Sequence, residues 1–339
     1  MARERCAREL RNLGFVVTER RFTYSSFPGR FATPLFGAAG AVLVGFSGLW
    51  AVSGQRIAPA VVLVAGIAVM VATARWVTRH GVLTLPLLRG QGVNLEAVKG
   101  GDRPGVWLCA HVDSKSQPVP TLVRSAGVVL EASGILAATV LAFAQATGAL
   151  VPEFYWEFVG VVTLVGAIPV GLSMVGTQSP GALDNASGVA TIIEVARRLQ
   201  NERGIGVLIT DAEELGLAGA RSWSVGRTNA AVLNCDGVDD TGDISVMRSG
   251  AVSARLRRSL TAVPGEIPSI RAHFPGVLTD AVAFADAGLE SVTVSRGGVG
   301  SFLRVHSRRD DLSRLRGDGI GPTADFIAAA ARNLLGGRS

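Results

Sequence analysis

Four long stretches without a single charged residue dominate this 339-residue chain. They run from Phe31 to Gln55, Ile57 to Ala74, Ala132 to Pro152 and Phe158 to Leu183. Arg56 alone parts the first two, and a short segment holding Glu153 and Glu157 parts the last two. A helix needs about 20 apolar residues to cross a hydrocarbon layer about 30 Å thick, and each stretch is close to that length. They are apolar around their whole circumference and carry Gly and Pro, as membrane helices do and amphipathic soluble helices do not. We therefore expect two transmembrane hairpins, at 31–78 and 125–176. At 18% charged residues overall, the rest of the chain belongs in water.

Each hairpin returns the chain to the side it left, so residues 1–30, 79–124 and 177–339 share one side and can build one domain. Arg30, Arg75, Arg79, Arg89, Lys115 and Arg124 flank the membrane ends on that side, against Arg56 on the other. Positive charge is retained in the cytoplasm, so the expectation is an integral protein of the cell membrane with four spans and a cytoplasmic domain. The start, MARERCARELRNLGF, lacks the short basic region, apolar run and small-residue cleavage site of a signal peptide. It reads as an amphipathic helix followed by a strand near FVVTERRFTY. The net charge of +6 comes from scattered arginines without an aromatic-studded basic platform. That favours contact with a lipid surface and no nucleic acid. Cys6, Cys109 and Cys235 are odd in number and show no CxxC spacing, so neither a disulfide framework nor a cysteine metal site is expected.

The water-facing pieces alternate between strand and helix signals. GVNLEAV and GVWLCAHVD read as strands, and ASGVATIIEVARRLQ as an amphipathic helix ending in arginines. GIGVLIT, AAVLNCD and SVTVS are further strands, with helices beginning at GLAGARSW, near LTDAVAFADAG, and at ADFIAAAARNLL. This pattern predicts an α/β fold: a mostly parallel mixed sheet with helices on both faces. In such sheets ligands bind beyond the carboxyl ends of the strands. The residues waiting there form a set: His111 and Asp113 after GVWLCA, Asp184 before the amphipathic helix, Glu213 and Glu214 after GVLIT, Asp236 after AVLNC, and His306 beyond SVTVS. Singly each has an ordinary explanation as a cap, a turn or a surface residue. Together, in a chain with four histidines, they form a pattern that asks for a cause.

Asp211, Glu213 and Glu214 crowd into four positions, and such carboxylates repel unless a cation or proton relieves them. Imidazole plus carboxylate without thiolate suits zinc, or Mn2+ or Co2+, and two such ions about 3.5–4 Å apart need a bridging carboxylate. Of two adjacent acids at a strand end, one can hold metal while the other serves as general base. The motifs HVDS, GALDNASGVA, DAEELGLAGARSW, NCDGV, TDAVAF and VHSRRDDL, in this order, resemble the co-catalytic zinc aminopeptidases of family M28. The resemblance covers roughly the three water-facing pieces and implies the zinc-exopeptidase (phosphorylase/hydrolase-like) fold. It implies two zinc ions: His111 and Asp236 on one, Glu214 and His306 on the other, Asp184 bridging. Glu213 would be the general acid/base, Asp113 would orient the His111 imidazole, and the substrate would be a peptide with a free N-terminus.

Two departures from the family stand out. Seventy residues separate Asp113 from Asp184, where the family has a short connection, and they include the second hairpin, which tethers the site to the bilayer. Where the family usually reads Ser-Asp-His, this chain reads Thr279, Asp280, Ala281, leaving Asp280 a structural role. The sequence also holds Tyr24 and Tyr155 as its only tyrosines, so the donor to a developing oxyanion is left open. Two other readings share the pattern: a single-zinc acyltransferase of the glutaminyl cyclase kind, and a noncatalytic membrane protein on a peptidase fold. Metal count and turnover separate all three.

Overall fold

A computed structural model describes residues 1–99, 103–263, 265, 268–273 and 277–336. The chain opens with α1 (Ala2–Asn12) and β1 (Val16–Ser25), then rises through a π-helical turn at Pro28–Ala32 into α2 (Thr33–Val52). It returns along α3 (Ala58–Trp76), a second π-helical turn at Val77–Gly81 and the short α4 (Val82–Thr84). Next come β2 (Arg89–Val98), β3 (Val106–His111) and a second pair of long helices, α5 (Thr121–Ala146) and α6 (Glu153–Gly171). The remainder alternates: α7 (Gly188–Arg198), β4 (Ile205–Thr210), α8 (Ala218–Ser224), β5 (Ala231–Val238), β6 (Asp243–Arg248), α9 (Ala254–Thr261) and β7 (Ser269–Ala272). It closes with α10 (Asp280–Asp286), β8 (Glu290–Gly297), α11 (Val299–Arg304) and α12 (Ile320–Gly336).

The strands form one eight-stranded sheet in the order β1-β2-β4-β3-β5-β8-β6-β7. Its centre, β4-β3-β5-β8, is parallel, while β1-β2, β2-β4 and β6-β8 pair antiparallel. The central strands are buried on both faces and read as continuous apolar runs for that reason. One face packs against α1, α7, α9 and α12 through Leu10, Ile192, Leu260 and Phe326. The other packs against α8 and α10, where Trp107, Trp223 and Phe284 meet edge to face. The mixed sheet with helices on both faces is the architecture expected from the alternating pattern. The sequence reading passed over β6, β7 and α9: β6 carries charges at both ends, and β7 is four residues of largely exposed edge.

Among the described residues, four helices are long and apolar enough to cross a membrane: Pro28–Val52, Ala58–Thr84, Thr121–Ala146 and Glu153–Gly171. Their buried positions recur at spacings of three and four and are mostly small residues. In α2 these are Gly37, Gly40, Ser47 and Ala51, with Val44 in the same row; in α5, Gly127, Gly134, Ala138 and Ala142, with Glu131 in the same row. Such stripes let helix backbones approach closely without needing a water-driven core. The outward faces carry Phe46, Val69, Leu136, Val140 and Phe158, with Leu136 66% and Val69 64% exposed. An apolar belt of this extent is what a bilayer-facing surface presents.

The feet of both hairpins meet the domain at the carboxyl ends of the parallel strands. At the first foot, Gly29 leaves no room for a Cβ, because it would collide with the backbone of Leu215 beside Glu214. At the second, Ser116 and Gly176 exchange backbone hydrogen bonds of 3.0 and 2.7 Å, tying the chain entering α5 to the chain leaving α6.

Candidate metal centre

β3 ends on His111, β4 is followed by Glu213 and Glu214, and Asp236 lies near the end of β5. Asp184 sits in the turn before α7, and His306 follows α11. All six side chains converge. The ligand atoms of His111, Glu213 and Asp236 lie within 4.8 Å of one another, as do those of Asp184, Glu214 and His306. Asp184 faces both groups: its Oδ1 is 3.2 Å from His111 Nε2 and its Oδ2 is 2.8 Å from His306 Nε2. Asp236 Oδ1 is 3.6 Å from His111 Nε2, and Glu214 Oε1 is 3.3 Å from His306 Nε2.

The local chain explains how carboxylates come to face one another. Asp113 holds the backbone: its two oxygens accept the N–H groups of Glu213 and Glu214, each at 3.1 Å, fixing both side chains at the mouth of β4. The His111 ring is steadied by the Asp113 carbonyl, 3.0 Å from Nδ1, with the Asp113 carboxylate farther away at 3.5 Å. Asp113 thus touches the imidazole chiefly through its backbone carbonyl and, with its carboxylate, holds the acid pair in place. Asp211 has turned away, accepting N–H groups from Val93 and Ala212.

On the opposite wall, Asn185 clamps the Asp184 turn to β5 by donating to the Cys235 carbonyl and accepting from Gly188 and Gly237. Gly188 must be glycine, since a Cβ there would strike the Asn185 side chain. Asp310 completes the clamp by accepting the N–H groups of Leu183 at 2.5 Å and Asp184 at 3.1 Å. The sequence reading missed Asp310, although VHSRRDDL carries it four residues after His306. It also missed Lys115, one of two lysines in the chain, whose ammonium pairs with Glu214. Asp280 is buried outside the ligand groups, accepting from the Thr210 hydroxyl at 2.5 Å.

The charges are strained against one another. Burial pushes the Glu213 carboxyl well above its usual range, and Glu214 and Asp236 push it further against the pull of His111. Burial also raises Asp236. Burial alone would raise Glu214, but Lys115 and His306 hold it down at about 2. Desolvation would lower His111, yet Glu213 and its carboxylate neighbours raise it well above an ordinary imidazole. His111 Nε2 and Glu214 Oε1 are fully buried without a hydrogen-bond partner, although carboxylate and imidazole groups crowd them. Two imidazoles and four carboxylates with orphaned atoms turned inward fit divalent ions that prefer nitrogen and oxygen, zinc foremost.

Metal-ligating histidines usually engage their second nitrogen with an orienting partner. For His306 that partner is Thr121, the first residue of α5, whose Oγ1 lies 3.2 Å from Nδ1. A helix of membrane-spanning length therefore meets the ring of a candidate ligand. Thr121→Val is expected to weaken divalent-ion affinity by about 10- to 100-fold, and Thr121→Ser to restore it, in competition with a chelating dye. Equal affinity in all three proteins would remove Thr121 from this role.

Five of the six, Asp184, Glu213, Glu214, Asp236 and His306, open into a cavity of about 230 Å³ lined from both hairpin feet, by Gly29, Thr33, Thr78, Thr121 and Arg124, and from the sheet side by Met247, Thr279 and Phe302. Against known families, the model for peptidase family M28 matches residues 169–331. Over this stretch the chain is similar to an M28 peptidase domain. The matched stretch holds Asp184, Glu213, Glu214, Asp236 and His306, while His111 and Asp113 lie ahead of it. No curated protein matches the chain.

Among solved structures, the glutaminyl cyclase of Fimbriiglobus ruber shares the fold at a TM-score of 0.52 and 12% identity, over 98% of this chain and 86% of that one. The zinc aminopeptidase BSAP of Bacillus subtilis aligns at 18% identity and a TM-score of 0.46, over 72% of this chain and 50% of its own. The LapA aminopeptidase of Legionella pneumophila aligns at 16% identity and 0.46, over 71% and 53%. The chain thus spans about half the length of these two aminopeptidases.

Proposed function

We propose that this M28-like domain is a membrane-anchored di-zinc metallopeptidase, most simply an aminopeptidase. One observation carries the reading: two adjoining ligand groups share Asp184, which presents one oxygen to each histidine. His111 and Asp236 would hold one ion, Glu214 and His306 the other, with Asp184 between them. Bound dications supply a lowered pKa for water and Lewis-acid polarisation of the scissile carbonyl. Glu213, held at the cleft by Asp113, takes a proton from the attacking water and returns it to the leaving amine. Burial and neighbouring carboxylates raise its proton affinity toward the value such a shuttle needs.

The domain is assembled from 1–30, 79–124 and 177–339, and the hairpins are its anchor. Because Thr33, Thr78, Thr121 and Arg124 line the cleft, substrates reach the site next to the bilayer surface. Membrane-proximal peptides and protein termini fit that entrance. The arginine-rich feet support a cytoplasmic domain, since positive charge near membrane ends is retained on that side. A cysteine engineered beside Gln55 should then react with an impermeant maleimide from the outer face, and labelling only after permeabilisation would invert the orientation.

The deciding experiment is metal analysis of the purified protein together with release of N-terminal residues from a peptide panel. About two zinc per chain with release is expected. One zinc with cyclisation of N-terminal glutamine would select the glutaminyl cyclase reading, which the likeness in fold to the Fimbriiglobus enzyme keeps in view. Absent metal and activity would select the noncatalytic one.

A further inference from the structure

One segment beside the cleft is apolar and cationic at once. Residues 299–314 form α11, carry His306 and end in a 3-10 turn at Leu312–Arg314. Along them Val299 is 68% exposed, Leu303 50% and Leu312 77%. Arg308, Arg309 and Arg314 are exposed between and beside these positions. Isolated apolar side chains on a protein surface are ordinary. Three on one short segment, interleaved with arginines, match a membrane-surface element, with apolar groups for the acyl boundary and cations for anionic headgroups.

The segment is fixed beside the second hairpin. Ser301 donates to Asp239 at 2.6 Å and Arg304 pairs with the same carboxylate, so one side of α11 faces the domain. Phe302 lines the cleft, while Val299 and Leu303, one helical turn apart, are left exposed. Arg304 also donates to the Arg314 carbonyl at 3.0 Å, tying α11 to the 3-10 turn. α11 packs against α5, Thr121 meets the His306 ring, and the Gln117 N–H donates to the His306 carbonyl at 2.8 Å. From the other leg of the hairpin, Gln178 accepts from Arg308. Both feet of the hairpin therefore hold the segment where the apolar belt begins, and Val123, in the first turn of α5, is already 48% exposed. The acids of the segment are engaged locally: Asp310 is buried against the Asp184 turn, and Asp311 caps the 3-10 turn by accepting from Ser313. The arginines set the sign of this surface.

Resting on the membrane-anchored reading, we propose that residues 299–314 form a lipid seat. Val299, Leu303 and Leu312 enter the boundary between headgroups and acyl chains, and Arg308, Arg309 and Arg314 meet anionic lipid phosphates. The segment that supplies His306 and one wall of the cleft is then itself held by the bilayer, and the cleft opens at the level of the headgroups.

Nitroxide labelling of the full-length protein in lipid nanodiscs tests the seat. Cys6, Cys109 and Cys235 are buried, so the label reports on an introduced cysteine. Leu303→Cys and Leu312→Cys are compared with Leu136→Cys on the outward face of α5 and with Val225→Cys, 72% exposed in the loop that leads into β5. Oxygen concentrates in hydrocarbon, whereas a charged nickel chelate stays in water. In discs containing phosphatidylglycerol, labels at 303 and 312 should collide with oxygen in preference to nickel, as at 136, and the label at 225 should favour nickel. A preference for nickel at either 303 or 312 overturns the seat. With phosphatidylcholine alone, or with Arg308→Gln and Arg309→Gln together, the oxygen preference at 303 and 312 should fall. An unchanged preference there overturns the part given to the arginines. A label at 136 that favours nickel would instead sink the membrane-anchored reading, and no outcome depends on turnover.

Discussion

Glu213→Gln is expected to lower kcat by about 10²- to 10⁴-fold while the protein keeps its zinc. The argument is positional. Glu213 and Glu214 are adjacent, and Asp113 anchors both backbone N–H groups, yet the two side chains meet different surroundings. Glu214 is held ionised by Lys115 and His306, as a ligand must be. Glu213 is buried among other carboxylates, which favours its protonated form and suits a group that accepts and returns a proton. Glutamine keeps the size and one oxygen acceptor but cannot carry that proton. Glu213 also lies within ligand distance of His111 and Asp236. Metal analysis of the variant therefore decides its role: a loss of zinc in step with the loss of turnover would make Glu213 a ligand rather than the base.

Asp184→Asn is expected to act on both ligand groups at once. Each Asp184 oxygen faces a different histidine, at 3.2 and 2.8 Å, and an amide offers one oxygen and no charge. The fall in zinc affinity should exceed the roughly 10- to 100-fold typical of losing an outer partner, and turnover should be lost with it. Thermal unfolding gives an independent readout. A ligand present at 100 times its Kd adds about 2.7 kcal/mol to the folded state, so zinc should raise the Tm of the wild type. The asparagine variant should show little of that rise. A full zinc-induced shift in Asp184→Asn would mean that the ions are held without a shared carboxylate.

The apolar stretches and the alternating strands and helices were legible because each depends on local pattern: uninterrupted apolarity for a long helix, and short apolar runs bounded by turns for the central strands. The six residues of the candidate ligand groups stood out for a related reason, since each ends, follows or, for Asp184, precedes an element that the pattern reveals. What escaped were features with no local signature. β7 is a short exposed edge paired with β6. Asp310 looks like any acid in a polar loop until its oxygens are seen to accept from Leu183 and Asp184. Lys115 looks like a membrane-flanking cation until its ammonium is found on Glu214.

The sequence by itself determined the α/β class, four helices of membrane-spanning length and the chemical type of the site, because side-chain periodicity and donor chemistry are properties of the chain. Only the tertiary structure decided that Asp184 faces both histidines and that Asp113 cradles the Glu213–Glu214 turn. It alone decided that the membrane-length helices form part of the site, with Thr121 on the His306 ring and Gly29 against Leu215. These are contacts between residues far apart in the chain, and their geometry is set by how the hairpin feet pack on the strand ends, which no local pattern encodes.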